Sequence, residues 1–121
     1  MRRIPLLAIA AMAIATALSS SAHAHARLEA STPKAGTVVA ARPTEIRLQF
    51  NEQVELAFSK IRLVDQAGNV VATSSVGLDK SNPKVMIATL SPVGAGSYRV
   101  QWSALTRDGH KVKGEFPFRV R

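Results

Sequence analysis

Cysteine is absent from all 121 residues of this chain. Disulfide bonds are therefore excluded, as is any thiolate ligand for zinc, copper(I) or an iron–sulfur cluster. A cysteine nucleophile is excluded for the same reason. No serine lies in the Gly-x-Ser-x-Gly pattern of a hydrolase elbow, and no glycine-rich phosphate loop follows a strand-like segment. The reactive groups that remain are oxygen and nitrogen donors.

Long apolar runs are also scarce, and the only one lies at the N-terminus. Two arginines precede an apolar run from Ile4 to Leu18, and the serine-rich stretch behind it ends in Ala22-His23-Ala24. The run is shorter than the ~20 residues of a membrane span, and the pattern is that of a secretory signal peptide. We predict that residues 1–24 are cleaved after Ala24, with a retained anchor as the alternative. Residues 25–121 would then form one soluble periplasmic domain.

Acidic residues are half as numerous as basic ones, 8 against 16. Removing Arg2 and Arg3 leaves 14 basic residues against 8 acidic ones, a formal net charge of +6 for the mature domain. The basic residues are scattered singly along the sequence, and the domain is predicted to be exported, so we expect no nucleic-acid partner. A solvated basic surface is the simplest interpretation. Attraction to an anionic membrane or to an acidic partner protein is the alternative.

Alternating apolar and polar residues predict an all-β domain, and no segment of the predicted mature domain has the period of an amphipathic helix. Strands are expected at residues 45–50, 60–64, 85–90, 97–102 and 115–120. Turn-forming residues lie between them at 32–36, 67–69, 81–83 and 91–96. Short strands at this spacing indicate a Greek-key β-sandwich or small barrel. Pro117, inside the last run, indicates an edge strand or a bulge. The predicted core is Leu48, Phe50, Ile61, Leu63, Tyr98, Val100, Trp102, Phe116, Phe118 and Val120.

Cleavage after Ala24 would make His25 the first residue, with its α-amine and its ring Nδ1 both available to one metal ion. The α-amine has a pKa of about 7.7–8.0, so a divalent metal can displace its proton at neutral pH. Far downstream, Asp108-Gly109-His110 offers a carboxylate and an imidazole, which point to the same side in extended backbone. Three nitrogens and one oxygen suit Cu(II) better than Ni(II) or Zn(II). Asp-Gly is also a common hairpin turn, in which His110 would be a solvated loop residue.

Several short motifs occur in an order and spacing that are specific only when taken together. They are His25-Ala26-Arg27-Leu28, Ser31-Thr32-Pro33, Phe50-Asn51-Glu52-Gln53-Val54-Glu55, the 96–102 segment Gly-Ser-Tyr-Arg-Val-Gln-Trp, Asp108-Gly109-His110, Gly114 and Phe118-Arg119-Val120. Through them, residues 25–121 resemble the CopC family of periplasmic copper-binding proteins. The resemblance implies a cupredoxin-like or immunoglobulin-like β-barrel that holds one Cu(II) in a histidine brace. Its implied ligands are the amine and ring of His25, Asp108 and His110, with Glu52 matching a glutamate near that site.

The resemblance also implies a role in copper resistance, homeostasis or trafficking, often beside an inner-membrane CopD-type protein. A monomer is expected. Some members carry a methionine-rich Cu(I) site, but Met86 stands alone in the mature domain, so no Cu(I) site is predicted. Other members have histidine as the third mature residue, where this chain has Arg27. Cleavage after Ala22 would instead begin the protein with His23-Ala24-His25 and create that motif, and intact mass distinguishes the two products.

Three functions compete at this point. The first is a Cu(II)-binding protein without enzymatic activity. The second is a small copper monooxygenase, because such enzymes use the same histidine brace. The short chain and the anionic Asp108, which stabilises Cu(II) over Cu(I), argue against it. The third is a metal-free interaction module.

Overall fold

The structure is a computed structural model that describes residues 26–71 and 73–121. The predicted signal peptide and His25 lie outside the described residues. The described chain forms one 3-10 turn, Leu56–Phe58, and nine strands. The strands are β1 (Leu28–Thr32), β2 (Val38–Val39), β3 (Glu45–Phe50), β4 (Lys60–Asp65), β5 (Val70–Val71), β6 (Thr73–Asp79), β7 (Asn82–Leu90), β8 (Gly96–Leu105) and β9 (Lys111–Val120). Within these residues, no helix has the length and apolar character needed to cross a bilayer.

The strands form two sheets, which confirms the predicted all-β sandwich. One sheet has the order β1-β3-β7-β6 and the other the order β2-β9-β8-β4-β5. All pairings are antiparallel except that of β2 with β9. The chain crosses from one sheet to the other five times, between β1 and β2, β2 and β3, β3 and β4, β5 and β6, and β7 and β8. Residues distant in sequence therefore meet at the ends of the sandwich.

The core forms where the alternating apolar residues of the two sheets face each other. In β3, Ile46, Leu48 and Phe50 are fully buried, and the residues between them face outward. Burying each such side chain contributes about 1.5–3 kcal/mol. All but one of the predicted core residues are buried, and the exception, Trp102, is half-buried. The sandwich is thus held together by the residues that the alternation indicated.

Two long strands were missed by the sequence prediction. β1 and β6 have the polar sequences LEAST and TSSVGLD, and they form the two edges of the four-stranded sheet. An edge strand has one neighbour and one exposed border, so it carries little apolar signal. The turn predicted at 81–83 was wrong in part, because the turn is at Lys80–Ser81 and β7 already begins at Asn82.

Pro117 lies in β9 without disturbing its pairing with β8, which runs in unbroken register from Gly96 to Leu105. The Pro117 carbonyl accepts a hydrogen bond from the Gly36 N–H at 2.7 Å. The nitrogen and carbonyl of one strand residue point to the same side, so the proline nitrogen also faces the loop before β2. The predicted edge strand or bulge is wrong, because β9 lies between β8 and β2 and its register has no shift. Pro117 lies just before the two residues that pair with β2, so its missing N–H interrupts neither ladder.

Gly114 creates the space that Trp102 occupies on the neighbouring strand. A Cβ at Gly114 would lie 2.6 Å from Cζ2 of the Trp102 ring, and the ring packs edge-on against Phe50 with centroids 5.2 Å apart. The ring therefore has little freedom to move aside. We expect Gly114→Ala to lower the free energy of unfolding by about 1–3 kcal/mol, as overpacking does. Urea unfolding followed by the fluorescence of Trp102 measures the loss.

Gly77→Ala is the matched control, because Gly77 also lies in a strand and a Cβ there meets nothing within 4 Å. Its stability should stay within about 0.5 kcal/mol of the wild type. Equal stabilities of the two variants would contradict the steric argument.

Candidate metal centre

Asp108 and His110 lie in the tight loop between β8 and β9. The loop is closed by hydrogen bonds from the Thr106 N–H to the His110 carbonyl at 2.8 Å and from the Gly109 N–H to the Thr106 carbonyl at 2.9 Å. Gly109 has φ +91°, a left-handed conformation that favours glycine. Of the two alternatives that the sequence offered, the Asp-Gly turn is the one that forms, and the segment is not extended. The turn nevertheless brings the two side chains together, with His110 Nδ1 2.9 Å from Asp108 Oδ2.

Thr106 holds the side chain of Asp108 and the backbone of His110, and it was not identified from the sequence. Its side chain is 1% exposed. Its hydroxyl donates to Asp108 Oδ1 and accepts a hydrogen bond from the His110 N–H at 3.2 Å. The available signal was a threonine and an aspartate close together in a turn, where their side chains commonly hydrogen-bond nearby backbone groups. The loop conformation thus depends on one buried hydroxyl.

The segment after β3 lies directly against this loop. Val54 forms an isolated β-bridge with Thr106, and the Arg107 N–H donates to the Gln53 carbonyl at 2.9 Å. The Arg107 guanidinium also donates to Gln53 Oε1 at 2.8 Å. Glu52, which precedes this contact, is thereby brought to the loop although it belongs to the other half of the chain.

Glu52, Asp108 and His110 form one cluster. Each offers a ligand atom, and the three atoms all lie within 4.8 Å of one another. Glu52 is half-buried and the other two are exposed. Two donors bound to the same ion at about 2.0–2.2 Å are at most about 4.4 Å apart, so a small adjustment would place all three on one ion. The sequence suggested Glu52 only as a neighbour of the ligands, whereas the structure puts its carboxylate among them.

The two carboxyl groups of the cluster have opposite pKa shifts. The pKa of Glu52 is raised, chiefly by its hydrogen bond with Asp108 and also by burial. The pKa of Asp108 is lowered, first by the Thr106 hydroxyl and then by Glu52. Asp108 is therefore the anionic member, and Glu52 is the one that holds a proton more readily. The carboxylate of Asp108 is therefore the one more readily available to a divalent cation.

The start of the described chain lies beside this cluster. Ala26 is buried. The Arg27 N–H donates to Asn51 Oδ1 at 2.8 Å, and the Asn51 N–H donates to the Arg27 carbonyl at 3.2 Å. Asn51 immediately precedes Glu52 in the sequence. Two hydrogen bonds therefore hold the beginning of the domain against the segment that carries Glu52. Of the predicted ligands, Asp108 and His110 come together, and His25 lies outside the described residues.

The donors of the cluster are an imidazole and carboxylates, which suit a divalent ion of borderline hardness. A soft Cu(I) ion prefers thioether or thiolate sulfur. Met86 is fully buried among core residues in β7, so its sulfur is not available at the surface. Among the described residues, the donors of the cluster are therefore those of a divalent ion rather than of a soft monovalent one.

Comparison with known proteins agrees with this chemistry. The model of the CopC domain matches residues 28–121. Copper resistance protein C of Pseudomonas syringae pv. tomato is 35% identical over 101 residues, which cover 78% of this chain and 79% of that protein. The copper transport protein CutJ of Bacillus subtilis is 31% identical over 91 residues, and the match covers 74% of this chain. The chain spans only 17% of the length of CutJ.

Solved structures give the same result. The crystal structure of CopC from Methylosinus trichosporium OB3b matches with a TM-score of 0.74 and 32% identity, over 79% of this chain and 93% of that one. PcoC, a methionine-rich copper resistance protein from Escherichia coli, matches with a TM-score of 0.71 and 34% identity, over 81% of this chain and 100% of that one. The fold and the sequence thus point to the same group of proteins.

Proposed function

Because this chain belongs to the CopC family, we propose that it is a periplasmic copper-binding protein that carries one Cu(II) ion and takes part in copper resistance, homeostasis or trafficking. The observation that carries the proposal is the cluster of Glu52, Asp108 and His110 at the point where the described chain begins. Three separate parts of the sequence contribute to this one end of the sandwich.

Each residue has a proposed role. His110 supplies an imidazole nitrogen and Asp108 an anionic oxygen. His25 adds its α-amine and ring nitrogen when residues 1–24 have been removed. His25 directly precedes Ala26 in the sequence, and the next residue, Arg27, is hydrogen-bonded to Asn51 beside the cluster. Glu52 is placed to hydrogen-bond Asp108 and to orient it.

The proposed role is binding rather than catalysis. The anionic oxygen ligand favours Cu(II) over Cu(I), and the thioether of Met86 is buried in the core. The metal centre should therefore hold Cu(II) without cycling it between oxidation states. Export through a signal peptide cleaved after Ala24 would place the protein where copper enters the cell. A membrane copper protein of the CopD type is the proposed partner, and a monomer is the proposed state.

The test is a titration of the mature protein, beginning at His25, with Cu(II). We expect one bound ion per chain and an electron paramagnetic resonance spectrum split by several nitrogen nuclei. No stoichiometric copper would leave the metal-free interaction module as the function. Oxygen consumption driven by ascorbate and a polysaccharide would favour the monooxygenase.

Thr106 is expected to act as a positioning residue for this site. In Thr106→Val the hydroxyl that holds Asp108 and His110 is lost while the side-chain volume is kept. Partners that orient metal ligands typically contribute about 10–100-fold to affinity, and we expect a loss of that size. Competition with a chelator of known affinity measures it.

Thr106→Ser keeps the hydroxyl and should restore Cu(II) affinity to within about threefold of the wild type, since a hydrogen-bonded partner is retained. A valine variant that binds Cu(II) as tightly as the serine variant would show that the hydroxyl has no role in positioning.

A further inference from the structure

The basic residues that are scattered along the sequence converge on one face of the folded domain. In β4, β8 and β9, the apolar residues point inward and the alternate residues form the outer face of the five-stranded sheet. Six of the 14 basic residues of the predicted mature domain lie on that face and are exposed. We call this set the basic face, and it consists of Lys60, Arg62, Arg99, Lys111, Lys113 and Arg119.

Strand register arranges these cations in rows. Lys60 and Lys113 flank Ser103 across the sheet, and in the next row Arg62 lies beside Gln101. The one acidic residue of the rows is Glu115, and its carboxylate accepts hydrogen bonds from Arg99 at 3.1 Å and Gln101 at 3.3 Å. In the part of the chain that the structure describes, no carboxylate forms an ion pair with Lys60, Arg62 or Lys113.

The outer face of the other sheet differs in charge. There the Arg47 guanidinium is paired with Asp79 at 2.5 Å and with Glu45 at 3.5 Å. Positive and negative groups are therefore balanced on that side. The excess positive charge is a property of the five-stranded sheet and is not spread evenly over the surface.

The basic face contains a shallow groove of about 490 Å³. Cations stand on both sides of it, whereas the Trp102 ring faces the core, where it packs against Phe50. The residues that line it are Lys60, Arg62, Gln101, Trp102, Ser103, Lys113, Gly114 and Glu115. The groove leads toward the candidate metal centre, because Lys111 and Lys113 follow directly after the loop that carries Asp108 and His110.

We propose that the basic face docks an extended acidic segment of a partner protein. Lys60 and Arg62 are two residues apart on one strand, about 6.6–6.8 Å, which is the spacing of side chains on one side of an extended segment. Carboxylates at alternate positions of such a segment would meet these cations in register. The docked segment would end beside the metal centre.

The shape and composition of the groove favour a polypeptide over a membrane. A flat lipid surface cannot fill a concave groove, and surfaces that bind bilayers add exposed large apolar side chains to their cations. Among the described residues the exposed large hydrophobics are Val38, Phe58 and Val70, and none of them lines the groove.

The experiment uses copper-free mature protein and a fluorescent peptide of about ten alternating glutamate and threonine residues, long enough to span the sheet. Binding is measured by fluorescence anisotropy at low salt, where charge–charge contacts are least screened. In the triple variant Lys60→Gln, Arg62→Gln, Lys113→Gln we expect Kd to rise about tenfold, since each exposed contact contributes modestly.

The matched control is Lys34→Gln, Lys80→Gln, Lys84→Gln, which removes the same charge from exposed residues outside β4, β8 and β9. Its Kd should change less than about threefold, because those residues are distant from the groove. An equal loss in the two variants would show that only net charge matters and would overturn the proposal. Equal binding of a glutamine–threonine peptide, or binding to phosphatidylglycerol vesicles without binding to the acidic peptide, would also overturn it.

Discussion

His110→Ala is expected to weaken Cu(II) binding by at least about 100-fold, because losing a ligand should exceed the cost of losing a residue that only orients one. His110 contributes the single imidazole of the described cluster, 2.9 Å from Asp108. Without it, the ion would keep Asp108 and the groups of His25. Competition titration gives the affinity, and the electron paramagnetic resonance spectrum should lose the coupling to one nitrogen.

Lys111→Ala is the matched control, since it truncates a neighbouring exposed side chain that is not a proposed ligand. Its affinity should remain within about threefold of the wild type, as expected for an exposed residue outside the site. Thermal unfolding of the copper-free variants checks that both are folded. Wild-type affinity in His110→Ala would rule out the proposed centre.

A protein that retains Ala24 ahead of His25 is expected to bind Cu(II) about 10²–10⁴-fold more weakly. In the mature form, the amine and the ring of His25 belong to one residue, so binding of the first donor brings the second to a high effective concentration. An added residue converts that amine into an amide and moves the new terminus away from the ring. Isothermal titration of the two forms, made by cleavage of a removable N-terminal fusion, measures the difference.

An alanine added after Arg121 serves as the control, because it lengthens the chain at the other terminus. That form should bind Cu(II) like the mature protein. Equal affinity of the Ala24-retaining form would exclude the histidine brace and leave a centre made of side chains alone. Intact mass of the exported protein also shows whether cleavage follows Ala24 or Ala22, which decides between His25 and His23 as the first residue.

Much of the fold was predictable from alternation, because each core strand has one buried face. β3 was predicted with its observed limits, Glu45–Phe50. The edge strands were not predictable in the same way, since the polar sequence of β6 has no apolar period to detect. Trp102 was expected in the core and is only half-buried. Its position depends on the missing side chain of Gly114 on the next strand, which a pattern along one strand cannot show.

The candidate centre was predictable in its residue types but not in its geometry. Asp108 and His110 were proposed from their spacing, yet they converge through a turn at Gly109 rather than through extended backbone. Thr106 escaped notice because threonine is common in strands and its role depends on burial. Glu52 enters the cluster only because the segment after β3 pairs with the β8–β9 loop, a contact between residues more than fifty positions apart.

The hydrogen bonds between Arg27 and Asn51 attach an edge strand whose pairing is interrupted between Leu28 and Ala30. Edge strands at chain termini are among the first parts of a protein to open. A metal ion bound both by His25, three residues ahead of β1, and by the β8–β9 loop of the other sheet would hold the start of β1 in place. Amide hydrogen exchange in β1 would then be slower in the copper-bound protein, although β1 itself contains no ligand.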